Sequence, residues 1–145
     1  MSKDIVLSIR PEWTALIKSG QKKLELRKSK PKQPCPFKVY IYEAKGDFKN
    51  HGCGKVIGEF ICDWIKKDIY PSRGLVDVID QRMSCIPPKQ IMEYAKHGIG
   101  SVPLVYWWHI SELNIYETPF DITELGFKRP PQSWAFLKGD EQENE

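Results

Sequence analysis

Short β-like runs follow one another along this chain with few helices between them. Read in order, the elements run β-α-β-β-β-α-β-β. Strands that succeed one another without crossover helices pair mainly with antiparallel neighbours, so the order predicts an α+β fold, not a doubly wound parallel sheet. Short strands in this number tend to curl into a small barrel. The expected architecture is therefore a small, mixed, mostly antiparallel β-barrel flanked by helices.

The runs are read from their periodicity. Residues 5–9 alternate, with Ile5, Leu7 and Ile9 on one face and Val6, Ser8 and Arg10 on the other. Pro11 suits the first position of a helix that continues to Ser19, with Trp13, Leu16 and Ile17 as its apolar stripe and Gly20 as its stop. Residues 23–27 alternate again, Leu24 and Leu26 inward, Lys23, Glu25 and Arg27 outward. Residues 28–36 read as a Pro- and Lys-rich loop, 37–44 as a strand, 45–54 as a polar loop and 55–64 as a strand. Residues 65–86 carry no clear period. A helix is expected over 87–97, with Ile91, Met92 and Ala95 buried and Gly98 ending it. A long aromatic strand follows over 105–117, then a helical turn capped by Asp121, and a closing strand over 132–137. One domain is expected over residues 1–138, with 139–145 as a disordered acidic tail.

Charge narrows the class of ligand. The chain has 22 basic and 19 acidic residues, a net charge of +3. Four of the acids lie in the tail, so the body carries 22 bases against 15 acids. Eight bases fall between Lys18 and Lys38 (Lys18, Lys22, Lys23, Arg27, Lys28, Lys30, Lys32 and Lys38) against one acid, Glu25. Such a cluster attracts phosphates, although a solvated surface has the same composition. No apolar stretch approaches the roughly 20 residues of a membrane span, and no signal peptide is evident, which points to the cytoplasm and away from a membrane partner. Without a signal peptide, Cys35, Cys53, Cys62 and Cys85 read as reduced thiols; they lack metal-ligand spacing, and neither metal nor cofactor is expected. The chain has no nucleophile elbow, no phosphate-cradling loop and no dinucleotide fingerprint.

Four constellations carry recognition chemistry. In the first, Lys22 sits in a turn before a strand whose outer face bears Glu25 and Arg27, about 7 Å apart on alternate positions. They can share one ligand or pair with each other. The second is Ser8 with Arg10, which could meet the same anion as Arg27 if the first two strands are neighbours. The third is aromatic: Tyr106, Trp107, Trp108 and His109, with Trp134 and Phe136 near the end. Aromatic faces stack bases at about 1–3 kcal/mol each, but tryptophans also fill cores. One side of that strand is expected to be core and the other to approach a cleft. The fourth is the stretch 129–134, where Gln132, Ser133 and Trp134 follow two stiffening prolines.

These segments together resemble the ASCH (activating signal cointegrator homology) family, whose fold is a PUA-like barrel, and look closest to its small bacterial and phage members. The resemblance lies in Leu7-Ser8-Ile9-Arg10-Pro11, in residues 17–27 from Ile17 to Arg27, and in Lys38-Val39-Tyr40-Ile41-Tyr42. It continues in residues 54–60, in Trp108-His109-Ile110-Ser111 and in Pro130-Pro131-Gln132-Ser133-Trp134. It implies a domain that binds RNA or a nucleotide in a cleft beside the barrel. Ser8, Arg10, Lys22, Glu25, Arg27, His109, Gln132, Ser133 and Trp134 are the implied pocket. Some relatives are enzymes. One branch resembles amidohydrolases acting on acetylated cytidine, using a lysine, a threonine and a glutamate; Lys22 matches the lysine, but Glu25 stands where the threonine would be. Another relative is a ribonuclease, for which no acid–base pair is evident here.

Three roles follow. The favoured one is a non-catalytic RNA- or nucleotide-binding domain. The second is a hydrolase of a modified nucleoside, with Lys22 activating water or an oxyanion and Glu25 as general base. The third is a protein-interaction module seated on residues 45–54 or 65–86, its partner unidentified.

Overall fold

A computed structural model describes residues 2–69, 76–96 and 104–137. The expected stop at Gly98 and the acidic tail lie outside the described residues. The elements are β1 (Ile5–Ile9), α1 (Pro11–Lys18), β2 (Leu24–Arg27), β3 (Phe37–Glu43), β4 (Lys55–Ile69), α2 (Val78–Ser84), α3 (Pro88–Lys96), β5 (Leu104–Phe120) and β6 (Trp134–Phe136). A 3-10 turn, Ile122–Leu125, lies between β5 and β6, its Thr123 N–H capped by the Asp121 carboxylate.

The strands form one curled half-barrel sheet in the order β2-β5-β4-β3-β1-β6. Each described ladder is antiparallel except β1 with β3, which run parallel with Ile5 opposite Val39 and Leu7 opposite Ile41. Alternation decides what fills the interior. Ile5, Leu7, Ile9, Val39, Ile41, Phe60, Trp108 and Ile110 meet there, all but excluded from water. The outer face of β1 and β3 is covered as well. Val6, Tyr42 and Val56 are buried beneath Ile122 and Phe127, so the side of β1 read as polar is apolar at its start. A third cluster joins Leu24, Leu26, Val105 and Trp107 to Ile86, Ile91 and Ala95 from the helical segment.

Several boundaries differ from the periodic reading. The β4 and β5 strands run on as a twisted ribbon to Ile69 opposite Leu104. The reading stopped at Trp64 because Lys66, Lys67 and Asp68 break the apolar pattern. Two of those charges have partners: Lys66 Nζ donates to both Asp80 oxygens at 2.7 and 2.8 Å, and Trp107 Nε1 donates to Asp68 Oδ2 at 3.0 Å. Helix α2 escaped notice because its buried positions are Asp80 and Ser84, which give no apolar stripe. Asp77 caps it, accepting from Ile79 N at 2.7 Å.

The aromatic strand also departs from expectation. Trp107 and Trp108 point to opposite faces of β5, and both are fully buried. Trp108 packs edge-on against Phe37 inside the barrel, with centroids 5.8 Å apart, while Trp107 lies under the helices. Both tryptophans are thus taken up by packing, and β5 borders a cavity farther along, at residues 109–113.

Candidate functional site

In sequence order β1 and β2 are nearly adjacent; in the sheet they lie far apart, so the conditional expectation that they pair does not hold. The curl nevertheless returns β2 to the β1–β6 edge, and Arg27 spans the gap. Its Nη2 donates to Ser8 O at 2.6 Å and to Glu25 Oε2 at 2.7 Å. Its Nε donates to the same Glu25 oxygen at 3.2 Å, and Nη1 donates to Ser133 Oγ at 3.2 Å. The guanidinium has five N–H groups, and four are used in these bonds. Arg27 is therefore a strut across the seam, and little of its planar fork is left for an incoming anion.

A cleft of about 420 Å³ opens at this seam. Ser8, Arg10, Glu25, Arg27 and Gln132 line it, together with Trp13 of α1, Tyr94 and Gln90 of α3, and Ile86. Glu25 is the buried charge among them, 4% exposed. Arg27 grips one carboxylate oxygen; Lys22 Nζ stands 3.6 Å from the other.

Lys22 does not line this cleft. At 1% exposure it lies behind Glu25, donating to Ser84 O at 2.7 Å and facing the Trp13 ring at 4.9 Å, and with His109 it belongs to the wall of a second cavity of about 280 Å³. Burial lowers its pKa from the ordinary lysine value, and the Glu25 charge opposes that shift. Lys22 thus braces two residues of the cleft wall, and water in the cleft has no direct path to its nitrogen.

Three further sequence candidates stand off the lining. His109 leaves β5 elsewhere, with Nδ1 2.6 Å from Asp63 Oδ1 and its ring stacked on Trp64 at 4.7 Å. Trp134 packs into the barrel against Trp108, its Nε1 donating to Ser29 Oγ at 2.9 Å. Ser133 meets the strut of Arg27 and accepts at its carbonyl from Ser8 N at 2.8 Å. Ser8 Oγ is also engaged, donating to Pro131 O at 2.6 Å, so the 131–133 stretch is strapped to β1. Arg10 sits half-exposed at the mouth, bonded through Nε to Glu12 Oε2 and through Nη2 to Asp47 Oδ2, both at 3.0 Å. The Glu12 hydrogen bond, more than any other contact, raises its pKa.

Sequence reasoning missed Trp13, Tyr94 and the role of Lys28. Trp13 counts in the apolar stripe of α1, and Tyr94 packs at the border of the cluster formed by Ile91 and Ala95. Lys28 was one base in a cluster of eight. Its Nζ stands 4.7 Å over the Tyr94 ring and meets no hydrogen-bond acceptor among the described residues. Burial lowers its pKa. Lys28 is not in the cleft lining: its nitrogen is buried beside Tyr94, a cation whose donors meet no acceptor among the described residues.

Comparison with known proteins places the fold. A model of the ASCH domain matches residues 7–120. The crystal structure of ASCH from Zymomonas mobilis superposes with a TM-score of 0.74 at 20% identity, over 97% of this chain and 92% of that one. A point variant of the same protein gives 0.73 at 20% identity, over 99% and 96%. The N-terminal domain of Staphylothermus marinus McrB gives 0.53 at 13% identity, over 99% and 92%. At these identities the likeness is one of fold. Among curated proteins, none matches the chain. No helix of the described residues is long and apolar enough to cross a membrane.

Proposed function

The chain belongs to the ASCH domain family, and from that premise we propose that it binds a nucleotide, free or within single-stranded RNA, with the base in the cleft and the phosphate at its mouth. The observation that carries the proposal is Glu25. A buried carboxylate held from behind by Lys22 and Arg27 keeps acceptor lone pairs directed at a cavity walled by Trp13 and Tyr94. Its orientation is fixed before any ligand arrives, which lowers the ordering cost of binding. A nucleobase amine or ring N–H satisfies such an acceptor, and aromatic side chains offer its faces stacking worth about 1–3 kcal/mol.

The cleft volume falls in the range of small-molecule sites. Gln90 and Gln132 are exposed at its edge and present both donors and acceptors to base or sugar. The phosphate falls to Lys28, whose ammonium is covered beside Tyr94 without an acceptor and is reached when that ring shifts, before Arg10, which lines the mouth but already serves two carboxylates. This division differs from the sequence expectation, in which Arg10 and Arg27 could meet the same anion.

The test is a titration with nucleoside monophosphates and with short single-stranded RNA at low and moderate salt. Glu25→Gln, checked for folding, is expected to weaken binding at least about tenfold, since one hydrogen bond to a charged group is worth about 1.5–3 kcal/mol. Lys28→Ala is expected to weaken it less and to flatten the salt dependence by about 0.7 in the log–log slope, the loss of one single-strand phosphate contact. Binding that is absent, or unchanged in Glu25→Gln, rejects the reading.

A further inference from the structure

The loop between β3 and β4 carries Phe48 at its tip, 92% exposed. An exposed aromatic on a floppy loop would mean little. This loop is locked. Asp47 Oδ1 accepts from Lys49 N and Asn50 N at 3.0 Å, Asp47 N donates to Asn50 O at 3.0 Å, and Gly52 N donates to Lys45 O at 2.8 Å. Gly46 at φ +75 permits the tight closure; a Cβ there would strike the Asn50 carbonyl and Pro11. None of these bonds involves the Phe48 side chain, so the turn forms without it and holds the ring out in water.

The place where the ring is held matters. Ala44, at the root of the loop, lines the cleft, and Asp47 Oδ2 receives Arg10 Nη2, whose guanidinium lines the cleft mouth. Lys45 and Lys49 are exposed on either side of the tip, and the His51 ring lies 6.5 Å from Phe48. A presented ring, flanking ammonium groups and a salt-bridged link to the cleft mouth describe a stacking platform beside a backbone track.

We propose that Phe48 stacks a second base, one that flanks the nucleotide held in the cleft, so that single-stranded RNA is gripped at two points. The proposal rests on the cleft reading above. It makes the protein a reader of strands, with free mononucleotides engaging only half of the site.

The experiment compares wild type, Phe48→Ala and Phe48→Trp against a single-stranded RNA of about ten nucleotides, within the span that single-strand binders cover, and against nucleoside monophosphates. Exposure of the ring means that neither substitution disturbs the core. Phe48→Ala is expected to weaken RNA binding about tenfold, Phe48→Trp to preserve it, and both to leave monophosphate affinity unchanged. Equal RNA affinity in wild type and Phe48→Ala, with monophosphate binding intact, overturns the Phe48 assignment and leaves the cleft standing. An equal loss for both ligands also overturns it, since the ring would then belong to the cleft. Failure of wild type to bind either ligand removes the cleft reading and this inference together.

Discussion

Arg27→Met tests whether one side chain holds the two edges of the sheet together. The substitution keeps the aliphatic stem and removes four donated hydrogen bonds, two to Glu25, one to Ser8 O and one to Ser133 Oγ. Arg27 and Glu25 are 13% and 6% exposed at their side chains, so solvent replaces little of what is lost. Breaking one partner of a buried pair costs about 3–5 kcal/mol. Lys22 still neutralises part of the Glu25 charge, which places the expected loss near the lower bound, about 3 kcal/mol. For a chain of this length that corresponds to a fall in Tm of roughly 10 °C. Urea unfolding and a thermal scan would measure it. Arg27→Lys should recover only a fraction, because an ammonium cannot reach Glu25, Ser8 and Ser133 together. The double change Arg27→Met with Glu25→Met should be less destabilising than the sum of the single changes by at least about 1 kcal/mol, since neither member of the Arg27–Glu25 pair is left without the other and the loss at Lys22 is already counted in Glu25→Met. A loss below about 1 kcal/mol in Arg27→Met, or full rescue by lysine, would refute the strut.

Glu43 gives a pH-dependent counterpart. Burial alone would push its carboxyl up, but the Thr14 hydroxyl, the Cys53 N–H and Lys18 outweigh it and hold the pKa below the ordinary value. A depressed carboxyl contributes stability that is complete above its unfolded pKa and disappears as pH falls through the folded one. Glu43→Gln should therefore destabilise at neutral pH by about 1–3 kcal/mol, and the difference from wild type should shrink below about pH 4, as urea midpoints across that range would report. Cys62 is fully buried, and burial first, then Cys35 beside it, raises its thiol pKa. Iodoacetamide should alkylate the exposed Cys53 in the native protein and reach Cys62 only through unfolding; mass spectrometry of digested samples would check the order.

Much of the architecture was legible because alternation survives in the strands that face the barrel interior. Ile5, Leu7 and Ile9 read correctly as one face, and Pro11 and Gly20 bracket α1 as their backbone preferences require, Gly20 lying at φ +83. The reading failed where polar residues interrupt the apolar pattern, whether buried in a helix or half-exposed on a ribbon. Asp80 and Ser84 hid α2, and the charges of 66–68 hid the far half of the β4–β5 ribbon. The candidate site was half legible for a related reason. A local alternation put Glu25 and Arg27 on one face, and the cleft receives both. Nothing local distinguishes Trp13 in a helical stripe from Trp108 in a core, or tells that Lys22 turns behind Glu25 while Lys28 covers Tyr94. Those differences arise from where α1 and α3 cross the seam, a long-range property of the curled sheet.

The most direct measurement is a two-dimensional amide spectrum of the protein as a nucleoside monophosphate is added. The Trp13 indole and the side-chain amides of Gln90 and Gln132 serve as reporters of the cleft, and Trp64 and Trp107 as references outside it. Saturable shifts of Trp13, Gln90 and Gln132, with the references still, are the predicted result. A silent spectrum, or shifts centred on Trp64 and His109, would contradict the account.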